Sequence, residues 1–316
     1  MKRIIALLLL LLLLTGCTTA PIATDATLAP TTAPTETVAV TEPAETEAPT
    51  EPPREGLTVH FVDVGQADGF LLECGGEYAV IDGGYPAGGD KMVEYMTDLG
   101  VEEVELMVAT HMHGDHIGGL PTVLDAFPTE NVWSNPATFT NGYVSEFLNA
   151  VAAQRIPLYT PQIGEVFELG DATITVLGPV RTNYEDLNDT SLVLMVQYGD
   201  IRFLFAGDME SVAEKDLLDR GTDLKADVLK VGHHGSYSST SYVFLREVMP
   251  TYAVISCGAN NDYGHPHKDP VSRLKDAEVI LFRTDKMYDI VAFTDGTEIE
   301  FSWGNSFAKP WIPGDQ

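Results

Sequence analysis

The sequence is short of positive charge. Its 316 residues carry 18 Lys and Arg against 47 Asp and Glu, a formal net charge of −29. So negative a surface lacks the broad basic face that grips a phosphate backbone, which excludes charge-driven nucleic-acid binding outside a local groove. Lys225, Lys230, Arg246 and Lys268 are the candidates for such a groove. Cysteine is scarce as well, with three in the chain. A disulfide framework is excluded, and Cys74 and Cys257 are expected as two buried free thiols. No G-x-S-x-G occurs, so a serine nucleophile on a strand-to-helix elbow is excluded. One apolar run, residues 4–14, is long, and no second one follows. Only eight histidines are present, so where they fall is informative.

The apolar run follows Lys2 and Arg3 and has the length of a signal peptide. It ends in "LTGC", residues 14–17, which resembles the bacterial lipobox. The expectation is cleavage after residue 16 and a lipid on Cys17, holding the protein on the extracellular face of the cytoplasmic membrane. Residues 17–55 are rich in Thr, Pro, Ala and Glu. They cannot bury enough surface to offset their ordering entropy and are expected to be a disordered spacer. Residues 56–316 suit one large α/β domain.

Within that body, "LTVHFVDV", "GFLLEC" and "YAVID" predict three strands, with Gly75-Gly76 as the hairpin turn between the last two. "DKMVEYMTDLG" predicts a helix stopped at Gly100. "VELMVAT" predicts a buried strand running straight into His111. The second half repeats the alternation: strands at 172–178, 191–198, 201–206, 226–232 and 251–257, helices at 209–219, 240–248 and 268–276, and three last strands ending near 302. Ser236 is a candidate cap for the second of these helices. The pattern predicts two mixed sheets face to face with helices outside, a four-layer αββα sandwich. Histidines and aspartates fall at strand ends in both halves, so a site built from loops along one edge is expected.

Residues 111–119 read "HMHGDHIGG". His111 and His113 are two apart on an extended segment and can face one ion. Asp115 and His116 follow Gly114, where the chain can turn, and can face a neighbouring ion. Four ligand-type residues within six at the end of a buried strand point to two metals a few ångströms apart.

"THMHGDHIGG" resembles the His-x-His-x-Asp-His signature of the metallo-β-lactamase superfamily. "VDVGQADG", "VIDGG", "NDTSLVL", "LFAGDME", "VLKVGHHGS" and "YGHPH" come in the order seen in the metallo-β-lactamase-like domain of the ComEC/Rec2 DNA-uptake proteins. The chain resembles that domain detached from its membrane channel. The resemblance implies His111 and His113 on the first metal, Asp115 and His116 on the second, and Asp208 bridging them. It implies His234 closing the second site, with His233 supporting it or taking its place. Many members have a further histidine between the first motif and the bridging aspartate. Residues 117–207 here contain none, and Asp189 or Asn188 of "NDTS" is the expected oxygen replacement. Oxygen in that place shifts the preference from zinc toward manganese. Asp82 is expected to orient a liganding histidine.

The resemblance therefore implies a hydrolase with two divalent metal ions, zinc or manganese, acting on a phosphoester such as DNA or nucleotides. Asp115 and Asp208 would be central to catalysis, and His265 would assist a leaving group or bind a phosphoryl oxygen. One alternative is an esterase acting on phosphorylcholine of cell-wall polymers, with Trp133, Tyr143 and Tyr263 caging the ammonium group. Another is a metal-free binding or scaffold lipoprotein that keeps the fold.

Overall fold

The computed structural model describes residues 54–136 and 140–315. The expected leader, Cys17 and nearly all of the Thr/Pro/Glu-rich segment lie outside the described residues.

The first half holds β1 (Leu57–Phe61), β2 (Gly69–Cys74), β3 (Glu77–Gly83), α1 (Pro86–Asp98), β4 (Val104–Ala109), α2 (Gly114–Ile117), α3 (Leu120–Ala126), β5 (Thr129–Ser134), α4 (Gly142–Gln154) and β6 (Leu158–Tyr159). The second half holds β7 (Val166–Leu169), β8 (Ala172–Gly178), β9 (Val193–Tyr198), β10 (Ile201–Phe205), α5 (Ser211–Arg220), β11 (Val228–Lys230), α6 (Tyr242–Val248), β12 (Tyr252–Ile255), α7 (Lys268–Asp276) and β13 (Ile280–Arg283). It ends with α8 (Thr284–Met287), β14 (Ile290–Thr294) and β15 (Ile299–Trp303). Gly75 and Gly76 both have positive φ, as a two-residue hairpin turn between β2 and β3 requires.

The strands form two mixed sheets, ordered β15-β14-β1-β2-β3-β4-β5-β6 and β13-β12-β11-β10-β9-β8-β7. The last two strands thus leave the second sheet and return to pair with β1, covering an edge that would otherwise be open. Period-2 alternation divides each strand between two cores. Leu57, Val59 and Phe61 of β1 and Phe203 and Phe205 of β10 meet between the sheets. Leu71, Val80 and Met107 face outward onto α1, α3 and α4, through Met92, Val123 and Phe147. Leu204, Leu229 and Ala253 face α5, α6 and α7, through Leu217, Phe244 and Leu274. This is the four-layer αββα sandwich that the alternation predicts. Ser241, not Ser236, caps α6, its hydroxyl accepting from the Phe244 amide. Cys74 and Cys257 are buried free thiols.

Parallel pairs β3–β4–β5 and β10–β11–β12–β13 are joined through helices, so their carboxyl ends all emerge at one edge. That edge gathers the ends of β3, β4, β10, β11 and β12. The Gly118-Gly119 pair after the histidines permits close packing there. A Cβ on Gly119 would lie 2.0 Å from the Gly83 carbonyl oxygen and 2.5 Å from the Gly89 amide nitrogen.

His60, on the outer face of β1, is a packed residue away from that edge. The Tyr95 hydroxyl lies 2.8 Å from its Nδ1, and burial pushes its pKa down to about 4. A histidine neutral in the fold and at about 6.5 when unfolded makes stability fall as pH drops from 6.5 toward 4, by at most about 3 kcal/mol. Urea midpoints at pH 7 and pH 4.5 should therefore fall further in the wild type than in His60→Gln. Equal losses would mean that His60 is not held neutral.

Candidate metal centre

β4 ends at Ala109 and delivers Thr110 and His111 to the edge. Asp82, at the end of β3, accepts from the Thr110 amide at 2.8 Å and the Thr110 hydroxyl at 2.7 Å. Its Oδ2 also lies 2.7 Å from His116 Nδ1. With Nδ1–H directed at Asp82, the lone pair of His116 sits on Nε2. That atom is 3.2 Å from Asp208 Oδ2, yet it makes no hydrogen bond among the described residues.

β10 delivers Asp208 through Gly207, whose positive φ and contact with Ser191 leave no room for a Cβ. The Ser191 hydroxyl accepts from the Asp208 amide at 3.0 Å. β11 delivers His233 and His234, both in the left-handed region at φ 48° and 52°. Consecutive left-handed non-glycine residues are costly, and here they direct two rings into one cavity. His234 Nδ1 donates to the Ser256 carbonyl at 3.0 Å, so its lone pair is on Nε2. That nitrogen lies 3.4 Å from Asp208 Oδ2 and 3.5 Å from Asp115 Oδ2, and it too is buried without a hydrogen-bond partner among the described residues. Ligand atoms of Asp115, His116, Asp208 and His234 all fall within 4.8 Å of one another.

His111 and His113 stand beside this group, with His111 Nε2 and His113 Nδ1 3.0 Å apart. His233 Nδ1 lies 3.0 Å from Glu210 Oε1, and its Nε2 lies 3.7 Å from Asp208 Oδ2. Both histidines of the pair thus reach Asp208.

Asn188 and Asp189 face opposite ways. Asp189 Oδ1 accepts from the amides of Glu210 at 3.0 Å and Ala213 at 3.2 Å, at the start of α5, and is turned from the cluster. Asn188 lines the cavity, and its buried Oδ1 has no partner among the described residues.

The charges need balancing. Burial alone would push the Asp208 carboxyl up, but the His234 and His116 imidazoles beside it hold it well below the usual range. Conversely, burial favours neutral rings, yet Asp208 raises both His116 and His234 well above the ordinary value. The carboxylates thus demand positive charge at the point where the unpartnered nitrogens converge. A divalent cation fits this donor set, since it supplies that charge and takes the lone pairs.

His265 sits across the cavity. Gln66 Oε1 accepts from the Gly258 amide at 3.1 Å, which fixes the side-chain amide. Its Nε2 then donates to His265 Nδ1 at 3.1 Å, leaving Nε2–H of the neutral ring as a donor. Burial, and then the neighbouring histidines, push the His265 pKa down to about 4.

Several expectations meet a different geometry. Lys230 cannot line a basic groove: it is 1% exposed, with Nζ 2.6 Å from Asp68 Oδ2. Trp133 packs in the core against Phe167, away from the cavity that Tyr143 and Tyr263 line. Sequence reasoning also missed Asp68, which is fully buried with Oδ1 3.2 Å from His234 Nδ1, as well as Glu210 and Gln66. A lysine in the middle of the apolar strand "VLKVG" was the available signal, because it needs a buried counter-charge.

Comparisons with known proteins place the chain in a family. The chain is 28% identical over 251 residues to ComE operon protein 3 of Bacillus subtilis, covering 72% of this chain and 32% of that protein. It is 30% identical over 222 residues to Recombination protein 2 of Haemophilus influenzae, covering 68% and 26%. It thus spans about a third or less of these curated relatives. The crystal structure of the metallo-β-lactamase fold protein YhfI from Bacillus subtilis matches with a TM-score of 0.53 at 12% identity, over 76% of this chain and 100% of that one, which shows a shared fold. Residues 1–18 match the model of the prokaryotic membrane lipoprotein lipid attachment site, and no helix among the described residues is long and apolar enough to cross a membrane. Residues 62–259 match the metallo-β-lactamase superfamily model, and the chain belongs to that superfamily.

Proposed function

We propose that residues 56–316 form a hydrolase domain that holds two divalent cations, zinc or manganese, and cleaves phosphoester bonds. A lipid on Cys17 would hold it at the extracellular face of the cytoplasmic membrane. The observation that carries the reading is the convergence of unpartnered His116 Nε2 and His234 Nε2 on Asp115 and Asp208. Relatives named as competence and recombination proteins favour a nucleic-acid or nucleotide diester as substrate.

His111 and His113 would hold one cation, with Asn188 Oδ1 rather than Asp189 as the oxygen donor and His233 as a further candidate. Asp115, His116 and His234 would hold the other, and Asp208 would serve both. When bound, the cations would acidify a water and offset charge on the attacked phosphorus. The chain supplies orientation. Asp82, Glu210 and the Ser256 carbonyl fix the Nδ1 side of His116, His233 and His234, so their Nε2 atoms face the cavity. His265 offers Nε2–H to a phosphoryl or leaving oxygen.

The test is metal analysis of the purified chain, then hydrolysis of bis-p-nitrophenyl phosphate before and after chelation. Chelation should abolish turnover, and manganese or zinc should restore it. Metal at 100 times its dissociation constant should add about 2.7 kcal/mol of stability. Thermal unfolding of the chelated chain should then rise by roughly 5–10 °C on reloading. A chain that binds no divalent ion, or hydrolyses equally well after chelation, would overturn the proposal.

A further inference from the structure

The cavity over the candidate metal centre is small, about 310 Å3. That is the lower end of the range for small-molecule sites. None of the described residues lining it is Lys or Arg. Of the candidate groove cations, Lys230 is buried on Asp68 and Arg246 lines, with Arg273, a separate groove between α6 and α7. The described lining of this cavity thus offers a polyanion no side-chain cation to replace its counterions, on a chain whose net charge is −29.

Three tyrosines line the cavity. Tyr85 is the residue before α1, and Tyr143 stands in the first turn of α4. Their ring centroids are 6.1 Å apart. Tyr143 lies over the turn of the histidine motif, close enough that a Cβ on Gly114 would be 2.5 Å from its ring. Tyr263 comes from the opposite half. Its ring lies nearly parallel to His265 at 5.7 Å between centroids, and the residue is 60% exposed. One flat face of an aromatic ring, backed by a histidine beside the site, is thus open to solvent. The tyrosine hydroxyls and the Asn141 side chain add hydrogen-bonding groups without charge.

Resting on the hydrolase reading, we infer that this site takes a small phosphodiester of low charge that carries a flat ring beside the scissile phosphorus, and not a long polyanionic strand. The ring, of nucleobase size, stacks on Tyr263. The metal centre takes the single diester charge, and the neutral rim takes the polar edge of the ring. A quaternary ammonium group would leave those hydrogen-bonding groups unused.

Two p-nitrophenyl diesters sharing a leaving group test this on the metal-loaded full chain: thymidine 5′-(p-nitrophenyl phosphate) and methyl p-nitrophenyl phosphate. The thymidine ester should have the lower KM, by about tenfold, the effect of one base–aromatic stack. Tyr263→Ala should erase that difference by raising the KM of the thymidine ester, and Tyr263→Phe should restore it. A twenty-residue oligothymidylate should be a poor substrate at low salt and improve as salt screens the repulsion. Equal KM values for the two diesters, no effect of Tyr263→Ala, or efficient oligothymidylate cleavage that falls steeply with salt would overturn the inference. So would tighter binding of the matching choline ester. Calorimetric binding of the phosphorothioate analogues makes the same comparison without turnover. Absent hydrolysis would then defeat the hydrolase reading alone, while the binding ratio still decides the recognition.

Discussion

Asp208→Asn is expected to lower kcat/KM for a phosphodiester by on the order of 1,000-fold in saturating manganese or zinc. The size follows from position. Asp82 touches His116 on its far side, at Nδ1, and losing such an outer partner costs roughly 10–100-fold in metal affinity or activity. Asp208 stands closer in: its Oδ2 is 3.2 Å from His116 Nε2, 3.4 Å from His234 Nε2 and 3.7 Å from His233 Nε2. Among the described residues it is the one carboxylate that three site histidines share, and asparagine removes both its charge and one of its two acceptor oxygens. Asp82→Asn should therefore fall between wild type and Asp208→Asn. Steady-state kinetics beside metal content, with circular dichroism to check folding, read the order directly. Asp208→Asn with wild-type activity at saturating metal would remove it from the centre, and the bridging assignment with it.

How much of this was legible in the sequence depended on whether a residue acts locally or across the fold. The layers were legible because runs such as those of β2, β4 and β10 are apolar on both faces, so one face needs the other sheet and the other needs helices. The histidine motif was legible as a cluster because a buried strand and a glycine turn bring Asp115 and His116 to Asp208 and His234, with His111 and His113 beside them. Asn188 and Asp189 were not separable, since neighbours in a tight turn point to opposite sides and only the start of α5 decides which carboxylate oxygen its amides capture. His233 and His234 stayed ambiguous because two consecutive left-handed residues are a backbone choice that composition does not announce. Lys230 misled for a related reason. A lysine reads as surface until its partner is known, and Asp68 lies 162 positions away in sequence.

That buried pair carries the second large expected effect. Lys230 ends β11, in the interior of the second sheet, and it is 1% exposed. Its Nζ donates to the Val231 carbonyl at 2.9 Å and lies 2.6 Å from Asp68 Oδ2. Burial would push the Asp68 carboxyl up, but Lys230, and then His234, hold it below its ordinary value. Lys230→Met leaves Asp68 buried without its principal cation. Breaking a buried pair from one side costs about 3–5 kcal/mol, which in a domain of this size lowers Tm by on the order of 10 °C. The double variant Lys230→Met, Asp68→Asn removes both charges and should recover much of that loss. It should not recover metal affinity to the same degree, because Asp68 Oδ1 also lies 3.2 Å from His234 Nδ1. Stability and metal binding would then separate in one protein, with affinity down roughly 10–100-fold in a chain that folds well. The pH dependence has a definite sign. Because the folded Asp68 pKa is depressed, the pair stabilises at neutral pH, above the unfolded carboxylate value of about 3.9, and its contribution fades as pH falls through the lower folded value. The deficit of Lys230→Met should therefore be largest near neutrality and shrink in acid, where its unpaired Asp68 takes up a proton. Urea denaturation at pH 7 and pH 4 checks this. A double variant as unstable as Lys230→Met at both values would mean that the lysine stem contributes by packing, and that the charge pair is not what holds His234 in place.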